Sequence, residues 1–458
     1  MMARRFFLPT LTVALLAGVA LPAAAQTFEE ALASAYNTNP QIQAERANLR
    51  ATDEQIAQAR ANWRPTVTFS GQLGKGYADV RGNPNNPVES SPQQAQVIVS
   101  QPLYRGGRTV AAIDAAKNAI QAGRARLFNT EQTVLLNAAT AYLDFVQNEN
   151  VVRLNMANER VLRRQLEATN DQFRVGEVTR TDVSQAEARL AGATANRIAS
   201  EGTLETSRAT FQQVIGIPAL KLIQPPRPRG LPPTSEQAAL EASTRNPTVI
   251  AAQFDEGQAR SQIDVVRGAL LPTLSLNGTG QYSKETPGST LPPTGIGQAA
   301  LVLSVPLYEA GNTWSQTRQA RQVASQRLIL VNDARKTAIA SATQAFETLL
   351  SSRARIESLN SQVQANEIAL EGVRQEASVG SRTILDILNA EQELLNSQVS
   401  REQATHDDLV ASFQVLNAMG RMTAKELQLP VELYDFEANY RDIENRWFGD
   451  DILRQKDE

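Results

Sequence analysis

Residues 28–216 of this chain recur as residues 236–420, and that duplication constrains the fold more than any other feature of the sequence. Asn39-Pro40 returns as Asn246-Pro247, Arg60 and Pro65 as Arg267 and Pro272, and Phe69-Ser70-Gly71 as Leu276-Asn277-Gly278, all at one offset of 207. After the loop around 285–296 the offset is 204. Pro102-Leu103-Tyr104 returns as Pro306-Leu307-Tyr308, Val175-Gly176 as Val379-Gly380, Asp182 as Asp386 and Gly216 as Gly420. One indel accounts for the whole alignment. A proline-rich stretch, 218–235, joins the copies, and a segment from 421 to 458 has no counterpart.

Each copy has the same predicted layout. In 28–64, Ala, Leu and Ile recur at three- and four-residue spacing, which predicts a helix. Trp63-Arg64-Pro65 ends it, because proline lacks the N–H and restricts the residue before it. The period then changes to two. Val67, Phe69, Gly71, Leu73 and Tyr77 fall on one face of a strand (65–77), and Thr66, Thr68, Ser70, Gln72 and Gly74 on the other. A Gly/Asn/Pro loop (78–92) leads to a second strand, 94–103, with Ala95, Val97 and Val99 on its apolar face. A long helix (105–173), a turn at Val175-Gly176 and a last helix (180–216) complete the copy. The second copy predicts helices 236–271, 308–377 and 383–420, with strands 272–284 and 297–307. At 1.5 Å per residue the long helix spans about 100 Å and each shorter one about 55 Å, so two short helices end to end match one long one. Helices of this length bury their seams only side by side, as in a coiled-coil bundle. Low aromatic content (5%) suits such seams.

The strands, about ten residues each, suit a tilted membrane-spanning strand with apolar-out, polar-in alternation. Four per chain are too few to close around a channel, since single-chain barrels begin at about eight; three chains would supply twelve. Tyr77, Tyr104, Tyr282 and Tyr308 fall near strand ends, where an interfacial aromatic girdle or ordinary strand-end packing would place them. No later segment is apolar enough for a spanning helix. At the N-terminus Arg4, Arg5, the apolar run Leu11–Leu21 and Ala23-Ala24-Ala25 predict a secretory signal, residues 1–25.

Several chemistries are excluded. The chain has no cysteine and one histidine, His406, so it lacks disulfides, thiolate sites and a cysteine nucleophile. A net charge of −3 gives no basic footprint for nucleic acid. No phosphate loop, HExxH or nucleophile elbow occurs, and the sequence predicts neither an enzyme nor a cofactor. His406 and Asp407-Asp408 are expected on a solvated helix face.

Taken together, the duplicated helix–hairpin–helix plan, the two Asn-Pro pairs, the strand-to-helix corners Gln101-Pro102-Leu103-Tyr104 and Val305-Pro306-Leu307-Tyr308, and the glycine turns resemble the TolC family of outer-membrane efflux proteins. The resemblance implies an α+β membrane protein: a homotrimer with a 12-stranded transmembrane β-barrel continuous with an α-helical periplasmic tunnel. It implies a Gram-negative outer-membrane location extending into the periplasm, outer-membrane lipid around the barrel, and the linker 218–235 and segment 421–458 as an equatorial girdle. The implied function is the exit duct of a tripartite export system, for drug efflux, type I protein secretion or both, with a periplasmic adaptor and an inner-membrane pump as partners. A non-conducting periplasmic scaffold is the competing reading. Residues Val175, Gly176 and Glu177, with Val379, Gly380 and Ser381, match the adaptor-contacting tips. Asp386 matches an acidic ring at the periplasmic aperture, Arg382 a tether of the closed state, and Asp182 and Thr181 its partners. The family's second aperture aspartate is Asn389 here, and a tyrosine that locks the closed tip is Ala377. Thr179 with Asp182, and Thr383 with Asp386, also fit a helix N-terminal capping box.

Overall fold

The structure is a computed structural model and describes residues 26–79, 88–284 and 292–451; the signal-peptide segment, 1–25, lies outside them. The first copy comprises α1 (Phe28–Thr38), α2 (Pro40–Ala61), β1 (Thr66–Leu73), the short strands β2 (Gly76–Ala78) and β3 (Val88–Ser90), β4 (Gln93–Arg105), α3 (Arg108–Arg174) and α4 (Arg180–Ile215). The second comprises α5 (Ser235–Arg245), α6 (Pro247–Arg267), β5 (Thr273–Lys284), β6 (Thr294–Ser304), α7 (Asn312–Ser378) and α8 (Ile384–Ala418); α9 (Ala438–Ile443) follows.

The single helix expected over 28–64 is two helices, and so is that expected over 236–271. The break falls at the Asn-Pro pair. Asn39 is extended (ψ 124°) and its side chain accepts from the Gln41 amide, while Pro40 opens α2, where its missing N–H costs nothing. Asn246 does the same through the Thr248 amide. Each asparagine also donates from Nδ2 to the carboxyl end of a neighbouring helix, Asn39 to the Val214 carbonyl (3.2 Å) and Asn246 to the Ala418 carbonyl (3.0 Å). The motif therefore starts one helix and latches the end of another. The long helices begin at 108 and 312, not 105 and 308, because Gly107 and Gly311 at their N-caps are left-handed (φ 75° and 77°) and the preceding residues turn or extend the strand. The segment read as loop 78–92 contains part of the β2–β3 ribbon.

The helices form a slab. α2 and α4 lie on α3, α3 lies on α6 and α8, and those two lie on α7. α2 covers the N-terminal half of α3, where Ile56 and Ile120 share a cluster, and α4 covers the C-terminal half, where Ala193 packs with Leu162. The sheet keeps the same lateral order, β1-β4-β5-β6, all antiparallel, and the β4–β5 pairing joins the two copies. Its register puts Val67 opposite Val99, Phe69 opposite Val97, Ala95 opposite Tyr282, and Leu276 opposite Leu301. Cross-strand partners share a face, so one face is an apolar row and the other is chiefly Thr, Ser, Gln and Asn, interrupted by Ile98, Ile296 and Val302. The apolar row is solvent-exposed in the isolated chain: Phe69 is 71% exposed and Leu73 82%.

The main core lies midway along the slab. Phe28, Tyr142, Phe145, Phe211 and Phe413 pack with Leu32, Phe346 and Leu349, and Leu222 of the linker and Met422, Ala424 and Leu429 of the C-terminal segment enter the same cluster. Phe28 meets the Tyr142 ring edge-on at 5.2 Å. The Tyr142 hydroxyl donates to the Ile223 carbonyl (2.7 Å) and accepts from the Ile223 amide (3.1 Å), pinning the linker; burial pushes that hydroxyl's pKa up.

His406 and Asp408 are not on a solvated face. The His406 side chain is 13% exposed and bridges Asp144 of α3 (2.7 Å) and Asp407 (3.1 Å). Desolvation opposes its charge, but hydrogen bonds and attraction to both carboxylates outweigh it and raise its pKa. Asp408 is buried and paired to Arg227 of the linker (2.7 Å) and Arg353 of α7 (3.4 Å). A local polar sequence cannot reveal either role, because every partner but Asp407 comes from a distant segment.

Candidate gate at the helical tips

The two helical reversals are built alike. After α3 the chain turns through Val175 and Gly176 (φ 82°), with the Gly176 amide donating to the Phe173 carbonyl (3.1 Å) and the Glu177 amide to the Gln172 carbonyl (2.9 Å). After α7 it turns through Val379 and Gly380 (φ 81°), with the Gly380 amide on Ala377 (3.0 Å) and the Ser381 amide on Glu376 (3.0 Å). A Cβ on either glycine would meet nothing, so the left-handed backbone alone demands glycine. Val175 and Val379 stand at the tips 72% and 79% exposed.

Both capping boxes form. The Thr179 amide and hydroxyl donate to Asp182 Oδ2 (2.9 and 2.7 Å), and the Asp182 amide donates back to Thr179 Oγ1 (3.3 Å). Thr383 and Asp386 repeat the arrangement at 2.9, 2.8 and 3.3 Å. The Thr383 amide and hydroxyl, with help from the Arg382 charge, hold the Asp386 pKa below the ordinary 3.8, so the group is a carboxylate at neutral pH. Hydrogen bonds from Thr179 lower Asp182 likewise. One Asp386 oxygen serves the cap, and the residue is half-buried in the first turn of α8.

Arg382 is not brought to Asp182 or Thr181 within the chain. Its Nε donates to Glu376 Oε2 (2.8 Å), a residue of its own tip. Thr181 is exposed in the first turn of α4. Asn389 is held across the slab, its Oδ1 accepting from Arg189 Nη2 of α4 (2.8 Å). Leu388 beside it is 1% exposed and packs with Leu162 and Ala193. One turn on, Glu391 is buried and ion-paired to Arg374 of α7. Arg189, Arg374 and Glu391 are residues that sequence reasoning missed. They carry no motif, and their pairing follows only from the way α4, α7 and α8 converge.

The profile of the family described as "Outer membrane efflux protein" matches residues 31–217 and again 239–421, once for each copy. The chain belongs to that family. It is 32% identical over 427 residues to outer membrane efflux protein BepC of Brucella suis biovar 1, covering 93% of this chain and 92% of the relative. It is 26% identical over 439 residues to outer membrane protein TolC of Escherichia coli K12, covering 92% and 87%. Among solved structures the fold is similar to the Campylobacter jejuni CmeC outer membrane channel (TM-score 0.77, 14% identity, 91% and 89% of the two chains) and to the outer-membrane channel OprN (TM-score 0.75, 19% identity, 86% and 89%). The location common to this family is the outer membrane of Gram-negative bacteria, and this efflux-family chain shares it. No described helix is long and apolar enough to cross a membrane.

Proposed function

We propose that the chain is one subunit of a trimeric channel-tunnel, the passive exit duct of a tripartite export system. One observation carries this reading: the four-stranded sheet has two free edges, β1 and β6, and an exposed apolar face, and it continues into a slab of helices about 100 Å long. A free edge and an apolar face that stay uncovered are costly in water. Three copies joined β6 to β1 would close a twelve-stranded barrel with the apolar row toward lipid and the polar face toward a wet lumen. The linker 218–235 and the start of 421–451, which share the mid-slab core, would form the equatorial girdle.

In this reading energy comes from an inner-membrane pump, and the protein itself performs no chemistry. A periplasmic adaptor docks on the tips, at Val175, Gly176 and Glu177 and at Val379, Gly380 and Ser381. Three copies of Asp386 form the aperture ring. Asn389 supplies no second ring of charge, since it is neutral and tied to Arg189. Arg382 would exchange Glu376 for Asp182 and Thr181 of an adjacent copy to hold the tip shut. Cargo selection, drug or protein, resides with the pump.

Single-channel recording of the purified protein in a planar bilayer tests the reading. Discrete openings are expected, with cation preference and block by multivalent cations both weakened in Asp386→Ala. Openings indifferent to the substitution would reduce Asp386 to a cap. Folded protein that never opens would favour the scaffold reading.

A further inference from the structure

The C-terminal segment leaves the mid-slab core and climbs α2 to the foot of the sheet. The contacts advance in the same direction along both segments. The Tyr434 amide donates to the Tyr36 hydroxyl (3.1 Å), and the Arg46 guanidinium lies between the Tyr36 and Tyr434 rings at 4.9 and 4.8 Å. Asn439 of α9 donates to buried Asp53 (3.1 Å). Arg60 donates to the Glu444 carbonyl (3.1 Å) and Asn445 Oδ1 (2.8 Å) and pairs with the Glu444 carboxylate. Arg64 donates to the Arg446 carbonyl (2.7 Å) and stacks on Trp447, its guanidinium carbon 4.7 Å from the ring centroid. From Arg46 to Arg60 the segment rises about 21 Å along α2.

The last of these contacts thus falls at Arg64, two residues before Thr66, the first residue of β1, and there the segment displays Trp447 and Phe448. Ile443 is buried against the slab, but Trp447 is 58% exposed and Phe448 88%, their rings 6.4 Å apart. Among the described residues, Arg64 stacks on Trp447, and both rings otherwise stay largely open. The same level carries Trp63 at 40% exposure and Leu103 and Tyr104 at 45% each, all at the helix–strand corners. Aromatic rings with one polar edge favour the boundary between hydrocarbon and water.

We propose that Trp447 and Phe448 insert into the headgroup boundary of the periplasm-facing leaflet, so that the C-terminal strap is a lipid anchor that couples the equatorial core to the membrane. The partner is a phospholipid surface, and the attraction is apolar: the segment 435–451 carries six acids and two arginines, so it gains nothing from anionic headgroups. The inference rests on the strands spanning the membrane, and the test separates the two.

The chain has three tryptophans, so Trp63→Phe with Trp314→Phe leaves Trp447 as the sole reporter. Full-length protein would be reconstituted into phosphatidylethanolamine/phosphatidylglycerol vesicles carrying brominated acyl chains. Expected are strong quenching by shallow bromines, weak quenching by aqueous iodide, and no dependence on the phosphatidylglycerol fraction. A second protein, with all three tryptophans changed to Phe and Phe69→Trp on the strand, reports the barrel and should be quenched by deep bromines. If Phe69→Trp is quenched by lipid while Trp447 answers only to iodide, the anchor is wrong and the barrel stands. If neither meets lipid, the barrel reading fails first. Because the chain has no cysteine, nitroxide-labelled Phe448→Cys gives an independent check: collisions with oxygen should exceed those with a water-soluble nickel chelate, and the reverse order would overturn the proposal.

Discussion

The long helices α3 and α7 have the same length, 67 residues, occupy the same place in the two copies, and meet opposite fates. In α3, 26 residues are buried; in α7, 12. The reason is position in the slab. α3 has α2 and α4 on one side and α6 and α8 on the other, whereas α7 has helices on one side only. Equivalent residues show the contrast one by one. Leu135 is fully buried and Ile339 is 37% exposed; Ala125 is 5% exposed and Ile329 is 65%. The uncovered face of α7 is not correspondingly polar, since Val323, Leu328, Ile329 and Leu330 are all exposed on it. A duplicated sequence thus yields one interior helix and one helix whose apolar side chains await a neighbouring copy.

The largest effect that would sharpen this contrast is at the paired positions Leu135 and Ile339. Leu135→Ala should lower stability by about 2–5 kcal/mol in denaturant unfolding, because it opens a cavity in a filled core. Ile339→Ala, and more strongly Ile329→Asp, should leave helix content intact and reduce the trimer fraction seen in native mass measurements of the detergent-solubilised protein. A trimer insensitive to both α7 substitutions would break the comparison.

Next come the Asn-Pro joints, where the copies should behave alike. Asn39→Ala and Asn246→Ala each remove an N-cap and a latch, and each should cost about 1–2 kcal/mol in the same unfolding assay. A large asymmetry between them would mean that the trimer, not the chain, holds one joint.

The tips provide the third comparison. Asp182→Ala and Asp386→Ala break matching capping boxes, so local hydrogen exchange in the first turns of α4 and α8 should rise similarly in both. Only Asp386→Ala should alter ion preference. Equal conductance changes would place both carboxylates on the permeation path.

The smallest effect is at His406, which has no histidine counterpart in the first copy. Its raised pKa means that protonation stabilises the fold: the contribution is complete below the ordinary value, 6.5, and is lost as pH rises through the raised one. The groups facing it are Asp144 and Asp407, with Asp408, Arg227, Arg353 and Arg355 forming ion pairs beside them. His406→Gln should flatten the fall in thermal midpoint between pH 6 and pH 9 by a degree or so; an unchanged slope would assign that fall to other groups.

Periodicity, proline and glycine were enough to read the duplication, the α+β class, the strand faces and the two reversals, because each depends on residues near one another in sequence. Thr383 and Asp386 are three residues apart, and a capping box is a local object. The breaks at Asn39 and Asn246 were half legible: the residues stood out, but the latch to Val214 or Ala418 lies about 170 positions away. Arg189 on Asn389, Arg374 on Glu391, the burial of His406 and Asp408, and the climb of 434–448 along α2 carried no signal in the sequence. They depend on which faces of long, nearly uniform helices meet. Ala, Gln and Arg recur on every face of these helices, so composition leaves their rotation and neighbours open, and the packing around the mid-slab aromatics decides both.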